Sequence, residues 1–548
     1  MGNFTCSSFM RLLRLIQLAQ EKSRSVDSLV NQIQTQIEDP KQLSRRHFLG
    51  GAAATALIAH RVGLPGISPL ISSAKAQIRS TQSPVIILGA GVSGLLTAYR
   101  LHQSGIPCEI YEASSRVGGR MFTQYQFNED GMFCELGGEA VDRSHEALHA
   151  LCRELGVGIQ DCAAEDAGLE KEVYWASGRL LSFSQMVHAL TPFAAQLRQD
   201  IHALWGEKAP RIPTFRDQNH PGIVKLDQMS LAEYLQSKKE LEPWMRGLIG
   251  SLYECEYGLD LSEQSALNFL TLATVDRKNQ LSLLGPSDEQ FRIQGGSSQL
   301  IRALEQRLKG QVPIHLGHRL LKIQNLKPGF KLSFSGETAL EIKAQQVVCT
   351  LPFSILRGIE GIQALGLPPS MTQAIFELGY GSMAKWSLGF QRRLWRQAPK
   401  NASNGRILTL DQQQFWESSR MQKGSRGILA RFIGGSRAHL LSDIRLQDNL
   451  NTLDQIYPGL KSLYEGRQFI MHWNQYPWAK GCYSAFKPGQ TTRFNGLAAR
   501  PQLGGRLFFA GEHVSVEFGG FMNGAIESAE NCARSIAQGQ KIAPNGSG

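Results

Sequence analysis

The sequence lacks paired cysteine spacings. It has nine cysteines in 548 residues, and no two stand as CxxC. Cys108, Cys349 and Cys532 each stand singly inside an apolar stretch, as buried free thiols usually do. The pattern therefore indicates neither a disulfide framework nor a zinc site, and we expect no metal centre.

Blocks of basic charge are also lacking. The formal net charge is +11, but residues 1–76 alone carry nine Lys and Arg against four Asp and Glu. Without a basic block, the modest excess over the rest of the chain does not predict nucleic-acid binding. The length and the 42% of hydrophobic residues are typical of a globular protein with two or more domains.

The N-terminal region has no apolar run of the roughly 20 residues that span a bilayer. A short run from Leu49 to Ala59 follows Arg45-Arg46, in a pattern that resembles a twin-arginine export signal. Ala74-Lys75-Ala76 is a small-x-small cleavage site, so residues 1–76 are predicted to be a signal region. We expect export to the periplasm or a lumen-like compartment, without a stable membrane anchor. An arginine pair before a retained anchor is the alternative.

A dinucleotide-binding βαβ unit is predicted immediately after this region. Its parts follow in order: strand Val85–Leu88, the GxGxxG glycines Gly89, Gly91 and Gly94, helix Leu95–Gln103, strand Cys108–Tyr111, and Glu112. The three glycines permit a tight turn, a close approach to a pyrophosphate and tight helix packing. The helix N-terminus offers N–H donors to phosphate, and Glu112 can accept hydrogen bonds from a ribose.

Two further segments narrow the choice of cofactor. Arg116, Gly119 and Arg120 belong to RVGGR, which resembles the second glycine motif of flavoproteins that use FAD rather than NAD. Near the C-terminus, a strand over Leu507–Ala510 is predicted to end at Gly511-Glu512. A helix is predicted from Met522 to Ala537, where a core helix without a cofactor role is the alternative.

With these motifs the chain resembles the flavin-containing amine oxidases, which include monoamine, polyamine and L-amino-acid oxidases. The resemblance covers nearly all of residues 84–540. It implies an α/β flavoprotein of the two-dinucleotide-binding-domain type, in which a discontinuous Rossmann-like FAD domain alternates with a mixed α+β substrate domain. We predict the FAD domain in residues 77–150, 290–360 and 466–540, and the substrate domain in 151–289 and 361–465.

The resemblance also implies roles for individual residues. Lys385 would hold a water against flavin N5, and Leu320 would contact adenine. The helix that begins at Met522 would direct its N-terminus at the flavin, where its dipole stabilises negative charge. Tyr483 and Phe521 would flank the substrate amine, although a tyrosine or tryptophan is usual in place of Phe521. Cys482 would carry a covalent flavin thioether, unless it is an unreactive buried thiol.

The substrate is the least defined feature of the sequence. Where venom-type amino-acid oxidases supply a carboxylate-binding arginine, this chain has Ala140, and Arg143 lies three residues further on. Glu139 and Asp142 are candidates to bind a cationic substrate group, as are Glu254 and Glu256.

We expect oxidative deamination by hydride transfer to flavin N5, by an L-amino-acid oxidase or dehydrogenase for basic amino acids. The products would be a 2-oxo acid, ammonia and H2O2, with O2 or a quinone as electron acceptor. Alternatives are a monoamine or polyamine oxidase, a tryptophan 2-monooxygenase-like enzyme and a carotenoid-desaturase-like enzyme. A homodimer is left open.

Overall fold

The computed structural model describes residues 83–542, apart from 171–172, 177, 182–192, 194–195, 207–210, 273–286, 338, 399–401 and 411–413. The predicted signal region lies outside the described residues, so the signal and the export that it implies stay predictions. Within the described part of the chain, no helix is both long and apolar enough to cross a membrane. The same residues contain no group of three or more His, Cys, Asp or Glu that could hold a metal ion.

The described chain contains both strands and α-helices, often several of one kind in succession. The strands are β1 Val85–Leu88, β2 Cys108–Tyr111, β3 Thr123–Gln124, β4 Cys134–Glu135, β5 Ala140–Val141, β6 Ile159–Asp161, β7 Val173–Ala176, β8 Arg179–Leu181, β9 Phe291–Ile293, β10 Ile314–His315, β11 Arg319–Asn325, β12 Phe330–Ser335, β13 Leu340–Ala344, β14 Val347–Cys349, β15 Met383–Phe390, β16 Ile407–Thr409, β17 Gln414–Glu417, β18 Gly427–Gly434, β19 Tyr464–His472 and β20 Leu507–Phe509. The α-helices are α1 Val92–Gln103, α2 Glu146–Leu155, α3 Pro221–Gln228, α4 Leu231–Gln236, α5 Pro243–Tyr257, α6 Ala266–Leu272, α7 Ser298–Leu308, α8 Phe353–Leu356, α9 Pro369–Glu377, α10 Leu446–Ile456, α11 Thr491–Phe494 and α12 Met522–Ile542.

One of the two largest sheets is parallel and has five strands in the order β10-β2-β1-β14-β20, which come from distant parts of the chain. Val85 and Ile87 of β1 belong to a core shared with α1, α7 and α12. Ile86 and Leu88 belong to a second core shared with the antiparallel sheet β11–β13. Both faces of the sheet are therefore covered, which explains why β1 is apolar throughout. The predicted α/β class and the βαβ unit β1–α1–β2 are confirmed.

Two predicted helix bounds differ from the structure. Helix α1 begins at Val92 rather than Leu95, because Gly91 is the extended residue before the helix and the turn that contains Gly94 is already helical. Helix α12 begins at Met522 as predicted but extends to Ile542. Element ends are the part of a helix that a sequence pattern defines least well.

A second sheet has seven strands in the order β19-β15-β18-β17-β16-β7-β8. Its central strands β15 and β18 are buried along their whole length, and helices α3 to α6 share a core with residues of β7 and β16. Most of its strands come from the stretches predicted for the substrate domain. Strand β19 crosses the predicted boundary at residue 465, and the domain boundaries stay a prediction.

Candidate active site

The carboxyl ends of the parallel strands open onto a cavity of about 340 Å³. This edge is where open α/β sheets bind ligands. Most of the residues predicted to bind the cofactor or flank the substrate line the cavity: Gly89, Gly91, Glu112, Gly119, Arg120, Leu320, Cys482, Tyr483, Gly511, Glu512, Phe521 and Met522. The fold therefore brings together residues that lie far apart in the sequence.

The glycines after β1 shape one end of this cavity. Gly89 has φ +102°, and a Cβ on Gly94 would lie 1.9 Å from the Gly89 carbonyl oxygen. A Cβ on Gly91 would meet no atom within 4 Å, because this position faces the open cavity. No side chain caps the N-terminus of α1, so its N–H groups are available to a bound anion. The cradle fits a cofactor pyrophosphate.

Glu112 and Leu320 form the adjoining wall. The Glu112 carboxylate accepts hydrogen bonds from the backbone N–H of Ala90 at 2.7 Å and of Ser114 at 2.8 Å. A carboxylate has further lone pairs, so Glu112 can still accept from a ribose hydroxyl. Leu320 lies at the start of β11, beside a register shift between Leu320 and Lys322. These positions fit the predicted adenosine contacts.

Arg116 does not line the cavity but supports the loop that does. Its guanidinium lies 3.8 Å from the ring centroid of Phe122 and donates to the Gly119 carbonyl at 2.8 Å and the Tyr476 hydroxyl at 3.0 Å. Gly119 has φ +55°, and a Cβ there would lie 3.3 Å from the Gly91 Cα. The RVGGR loop is thus held directly against the GxGxxG turn.

A buried ion pair links three of the predicted motifs. Arg120 donates to the Glu512 carboxylate at 2.8 Å and to the Cys482 carbonyl at 2.7 Å. Glu512 also accepts from the Ser484 hydroxyl at 2.7 Å and the Gly520 N–H at 2.8 Å. Burial is the largest single influence and raises the pKa of Glu512, but the neighbouring charges, that of Arg120 foremost, and the hydrogen bonds from Arg120 and Ser484 together outweigh it and lower the pKa below its ordinary value.

The N-terminus of α12 lies beside the segment Leu136-Gly137-Gly138. Met522 packs so close to Gly138 that a Cβ on Gly138 would lie 2.7 Å from the Met522 sulfur. Gly511 has φ +151°, and its N–H donates to the Ser528 hydroxyl of α12 at 2.9 Å. The strand-to-helix connection therefore fixes this helix end on the cavity wall, and its predicted action on the flavin stays a prediction.

Cys482 is buried against the backbone, and its thiol donates to the Gly381 carbonyl at 3.1 Å. Burial raises the pKa of this thiol to about 12. Since the thiolate is the nucleophile, a thiol that stays protonated at neutral pH disfavours a covalent link. We expect acid precipitation of the FAD-loaded protein to leave yellow colour in the supernatant. Colour retained in a washed pellet would instead demonstrate the thioether.

Lys385 forms a buried ion pair with Glu139. The Lys385 side chain is 1% exposed, and its Nζ contacts the Glu139 carboxylate. Trp416 Nε1 and Ser418 Oγ donate to the same carboxylate at 3.1 and 3.0 Å. Burial is the largest single influence and raises the pKa of Glu139, but the charges of Lys385 and Arg292 and the hydrogen bonds to the carboxylate together outweigh it and lower the pKa. In this structure Glu139 is thus the counter-ion of Lys385 rather than an open cation site.

Tyr483 and Phe521 both line the cavity, and the expectation that they flank the substrate amine stays a prediction. The Tyr483 hydroxyl is turned away from it and donates to the carbonyl oxygen of Glu256. A Cβ on Gly520, next to Phe521, would lie 3.4 Å from the Tyr483 ring, so the two aromatic residues belong to adjoining parts of the wall. Tyr483 therefore offers its ring, not its hydroxyl, to a substrate.

Asp142 lies behind Phe521. His145 packs edge-on against Phe521, with ring centroids 5.1 Å apart, and His145 Nε2 lies 3.4 Å from the Asp142 carboxylate. Asp142 also accepts from the Glu289 N–H at 2.6 Å. Burial raises the pKa of Asp142 to about 7 and lowers that of His145 to about 3. Asp142 thus supports the wall through His145.

Three buried charged residues near Glu139 were missed by the sequence reasoning, and none of them is among the residues that line the cavity. Arg292 of β9 lies 3.7 Å from the Glu139 carboxylate and donates to the Glu289 carbonyl at 3.2 Å. Arg406 Nη2, just before β16, lies 4.0 Å from the Glu289 carboxylate. All three side chains are buried. Arg292 could have been noticed as a charge inside a short strand, whereas Glu289 stands in a polar run that gives no signal.

The other residues that were considered for substrate binding differ in how far they are buried. The Arg143 side chain is 69% exposed and pairs with Asp288, so it does not reach the site. Glu256 is buried, and its charge contributes to raising the pKa of Glu289. Glu254 is half-buried near Asp260. The buried group therefore consists of Glu139, Asp142, Glu256, Glu289, Arg292, Lys385 and Arg406.

Known protein sequences resemble this chain over most of its length. Residues 92–537 match the sequence model of the flavin containing amine oxidoreductases. The chain is 25% identical to a pseudooxynicotine dehydrogenase from a Pseudomonas species, over 90% of this chain and 96% of that protein. It is 24% identical to the flavin-containing amine oxidase B of Sus scrofa, over 83% of this chain and 86% of that protein.

Solved structures share the fold. The cyclohexylamine oxidase from Brevibacterium oxydans superposes with a TM-score of 0.69 at 21% identity, covering 84% of this chain and 99% of that one. A wild-type putrescine oxidase bound to putrescine superposes with a TM-score of 0.67 at 20% identity, covering 83% and 99%.

Proposed function

The chain belongs to the family of flavin-containing amine oxidoreductases, and we propose that within this family it oxidises an L-amino acid. Bound FAD supplies the two-electron oxidant that accepts a hydride from the carbon bearing the amine. The glycine cradle, Glu112, the Arg120–Glu512 pair and the N-terminus of α12 would hold the cofactor. The imine that results hydrolyses to a 2-oxo acid and ammonia. With O2 as the final acceptor, the other product is H2O2.

The residues around the cavity support binding of the amine in a dry, oriented site. The rings of Tyr483 and Phe521 exclude water and present apolar faces to a neutral amine, or π-faces to an ammonium. The Lys385 ammonium is held by Glu139 and needs no role as a base. Lys385 does not itself line the cavity, but its Nζ lies 3.5 Å from the carbonyl oxygen of Gly137, next to the cavity-lining Gly138. Its charge would orient a water molecule there. Binding and desolvation are thus the main tasks of the protein.

The pair of buried arginines is the observation that carries the amino-acid proposal. Lys385 contacts Glu139, and Arg292 lies 3.7 Å from the same carboxylate. Arg292 also donates to the Glu289 carbonyl, and Arg406 lies 4.0 Å from the Glu289 carboxylate. A guanidinium matches a carboxylate in shape and charge, and burial strengthens that interaction. The arginine that the sequence lacks at Ala140 would thus be replaced by Arg292 of β9 and by Arg406, which lies just before β16.

Oxidation of a diamine or polyamine is the second candidate. The buried carboxylates Asp142, Glu256 and Glu289 favour it, and the putrescine oxidase with the same fold acts as a precedent. A diamine would need no carboxylate partner.

Anaerobic mixing of the FAD-loaded protein with a substrate panel distinguishes these proposals. We expect L-arginine, L-lysine and L-phenylalanine to bleach the flavin absorbance at about 450 nm, with D-arginine as the inactive control. Bleaching by putrescine or tryptamine but by no amino acid would replace the proposal with the second candidate. If none of these compounds bleaches the flavin, the proposed function is wrong.

A further inference from the structure

His145 stands directly before α2 and packs against two phenylalanines of the loop that leads to α12. Its ring centroid lies 5.1 Å from that of Phe521 and 5.7 Å from that of Phe518, and both contacts are edge-on. His145 is 1% exposed and does not line the cavity, whereas Phe521 does. The imidazole therefore lies behind the Phe521 ring, on the side away from the cavity.

Hydrogen bonds on both sides fix the position of His145. The backbone N–H of Asp142 donates to its Nδ1 at 3.0 Å, and its own N–H donates to the Asp142 carbonyl at 3.1 Å. In the first turn of α2, the Leu148 N–H donates to the Asn523 side chain of α12 at 3.0 Å. The imidazole is thus joined to the helix that follows Phe521.

Phe521 needs such a support, because it is only half-buried and follows the pair Gly519-Gly520. Glu512 fixes the backbone by accepting from the Gly520 N–H at 2.8 Å. The remaining freedom of the ring is rotation about its side-chain bonds. Burial lowers the pKa of His145 to about 3, so an uncharged ring packs against Phe521 and opposes rotation away from the cavity.

The aromatic wall that adjoins Phe521 is fixed by its own contacts. Tyr483 is buried, and its hydroxyl donates to the Glu256 carbonyl. A Cβ on Gly520 would lie 3.4 Å from the Tyr483 ring, so the two walls are close together. Because Tyr483 is held at both ends of its side chain, the gap between the rings depends on how far Phe521 can move back.

We propose that His145 is a positioning residue that holds the Phe521 ring in place and thereby limits the thickness of the substrate that the cavity admits. An amine whose next carbon is a CH2 group then fits the gap, whereas a quaternary carbon there pushes Phe521 against His145. The inference rests on the part of the proposed function that places the substrate between Tyr483 and Phe521, and it holds for an amino acid or a diamine. A site that must be overpacked to admit extra methyl groups discriminates against them.

Pairs of isomeric substrates test the inference. L-leucine and L-tert-leucine form the pair for an amino-acid oxidase, and pentylamine and neopentylamine form the pair for an oxidase of simple amines. The second member of each pair has a quaternary carbon next to the carbon that bears the amine. We expect kcat/KM of the wild type to be about 100-fold higher for the first member.

Two substitutions separate the imidazole ring from its hydrogen bond. His145→Asn keeps an acceptor for the Asp142 N–H but removes the ring, so the preference should fall below about fivefold because the thicker isomer reacts faster. His145→Phe keeps a ring against Phe521 but removes the acceptor, so it should keep the preference while its melting temperature falls. As a matched control, His149→Asn removes a ring of α2 that packs against Phe291, and it should leave the preference unchanged.

A measurement without substrate reports on the Phe521 ring itself. The FAD-loaded protein is prepared with para-fluorophenylalanine in place of Phe521, and its fluorine NMR spectrum is recorded. We expect one sharp resonance when His145 is present and a shifted or broadened resonance in His145→Asn, because the ring then occupies more than one position. Bound FAD and the melting temperature show whether each variant is folded.

Several outcomes would overturn the inference. One is a folded His145→Asn variant that keeps the preference, and another is a preference that is lost in His145→Phe together with stability, since His145 is then only structural. A wild type that oxidises both isomers equally also overturns it and leaves the proposed function intact. If the wild type oxidises neither isomer but other amines bleach the flavin, an unchanged fluorine resonance in His145→Asn overturns it. Absence of any flavin reduction overturns both proposals together.

Discussion

Replacing Lys385 by methionine is expected to lower kcat/KM for the oxidised substrate about 100-fold and to destabilise the protein by about 3 kcal/mol. The substitution removes the ammonium that the family resemblance places at the flavin, and it leaves the Glu139 carboxylate buried without its main counter-ion. Trp416, Ser418 and Arg292 still contact Glu139, so we expect the lower end of the range for a broken buried pair. Chemical denaturation of the FAD-free protein measures the loss of stability, and steady-state oxidation measures the loss of kcat/KM.

The double variant Lys385→Met with Glu139→Gln separates the two effects. Without a buried charge to compensate, most of the lost stability should return, while oxidation stays slow. If the double variant also regains activity, Lys385 matters only as the partner of Glu139.

The stability loss in Lys385→Met should depend on pH. In the wild type the pKa of Glu139 is lowered, so its contribution is present above the unfolded value of about 4.5 and is lost as the pH falls. Without Lys385, burial should raise this pKa above the unfolded value, and the folded state then favours the protonated carboxyl. The melting temperatures of wild type and variant should therefore lie closer together at pH 5 than at pH 8. A difference that grows on acidification would contradict this account.

Replacing Gly91 by valine is expected to lower FAD affinity more than tenfold while the protein still folds. Gly91 has φ −68° and ψ 177°, a conformation that valine adopts readily. A Cβ there meets nothing within 4 Å, so the added side chain enters the cavity and excludes the pyrophosphate from the helix N-terminus. Titration of FAD-free protein with FAD, followed by flavin fluorescence, measures the loss.

Gly94→Ala is the matched comparison within the same motif. Its Cβ would lie 1.9 Å from the Gly89 carbonyl oxygen, so the added methyl group separates α1 from the end of β1. We expect this variant to lose stability, with a lower melting temperature even without FAD. If Gly91→Val binds FAD as tightly as the wild type, the cavity at the end of β1 does not hold the pyrophosphate.

The cofactor half of the fold could be predicted because its signals are local. The glycines at positions 89, 91 and 94, the apolar strand before them and Glu112 fall within 28 residues of one another. Short-range steric and hydrogen-bonding requirements act directly on such a segment. The family resemblance added Lys385, Tyr483 and Phe521, whose roles stay predictions.

The charged centre of the site was decided by the tertiary structure. Glu139 and Lys385 are 246 residues apart in the chain. From the sequence we expected Glu139 to bind a cationic substrate group and Lys385 to hold a water at the flavin, and not that the two would pair. In the proposed function, Arg292 and Arg406 would take the place of the arginine that was sought near Ala140.

By itself, the sequence determined that the chain is an α/β flavoprotein with a dinucleotide site at the end of its first strand. Packing determined which buried carboxylates receive hydrogen bonds and which, like Glu289, have no donor among the described residues. Burial and the distance to an opposite charge set the energy of a carboxylate, and neither quantity exists until distant segments meet.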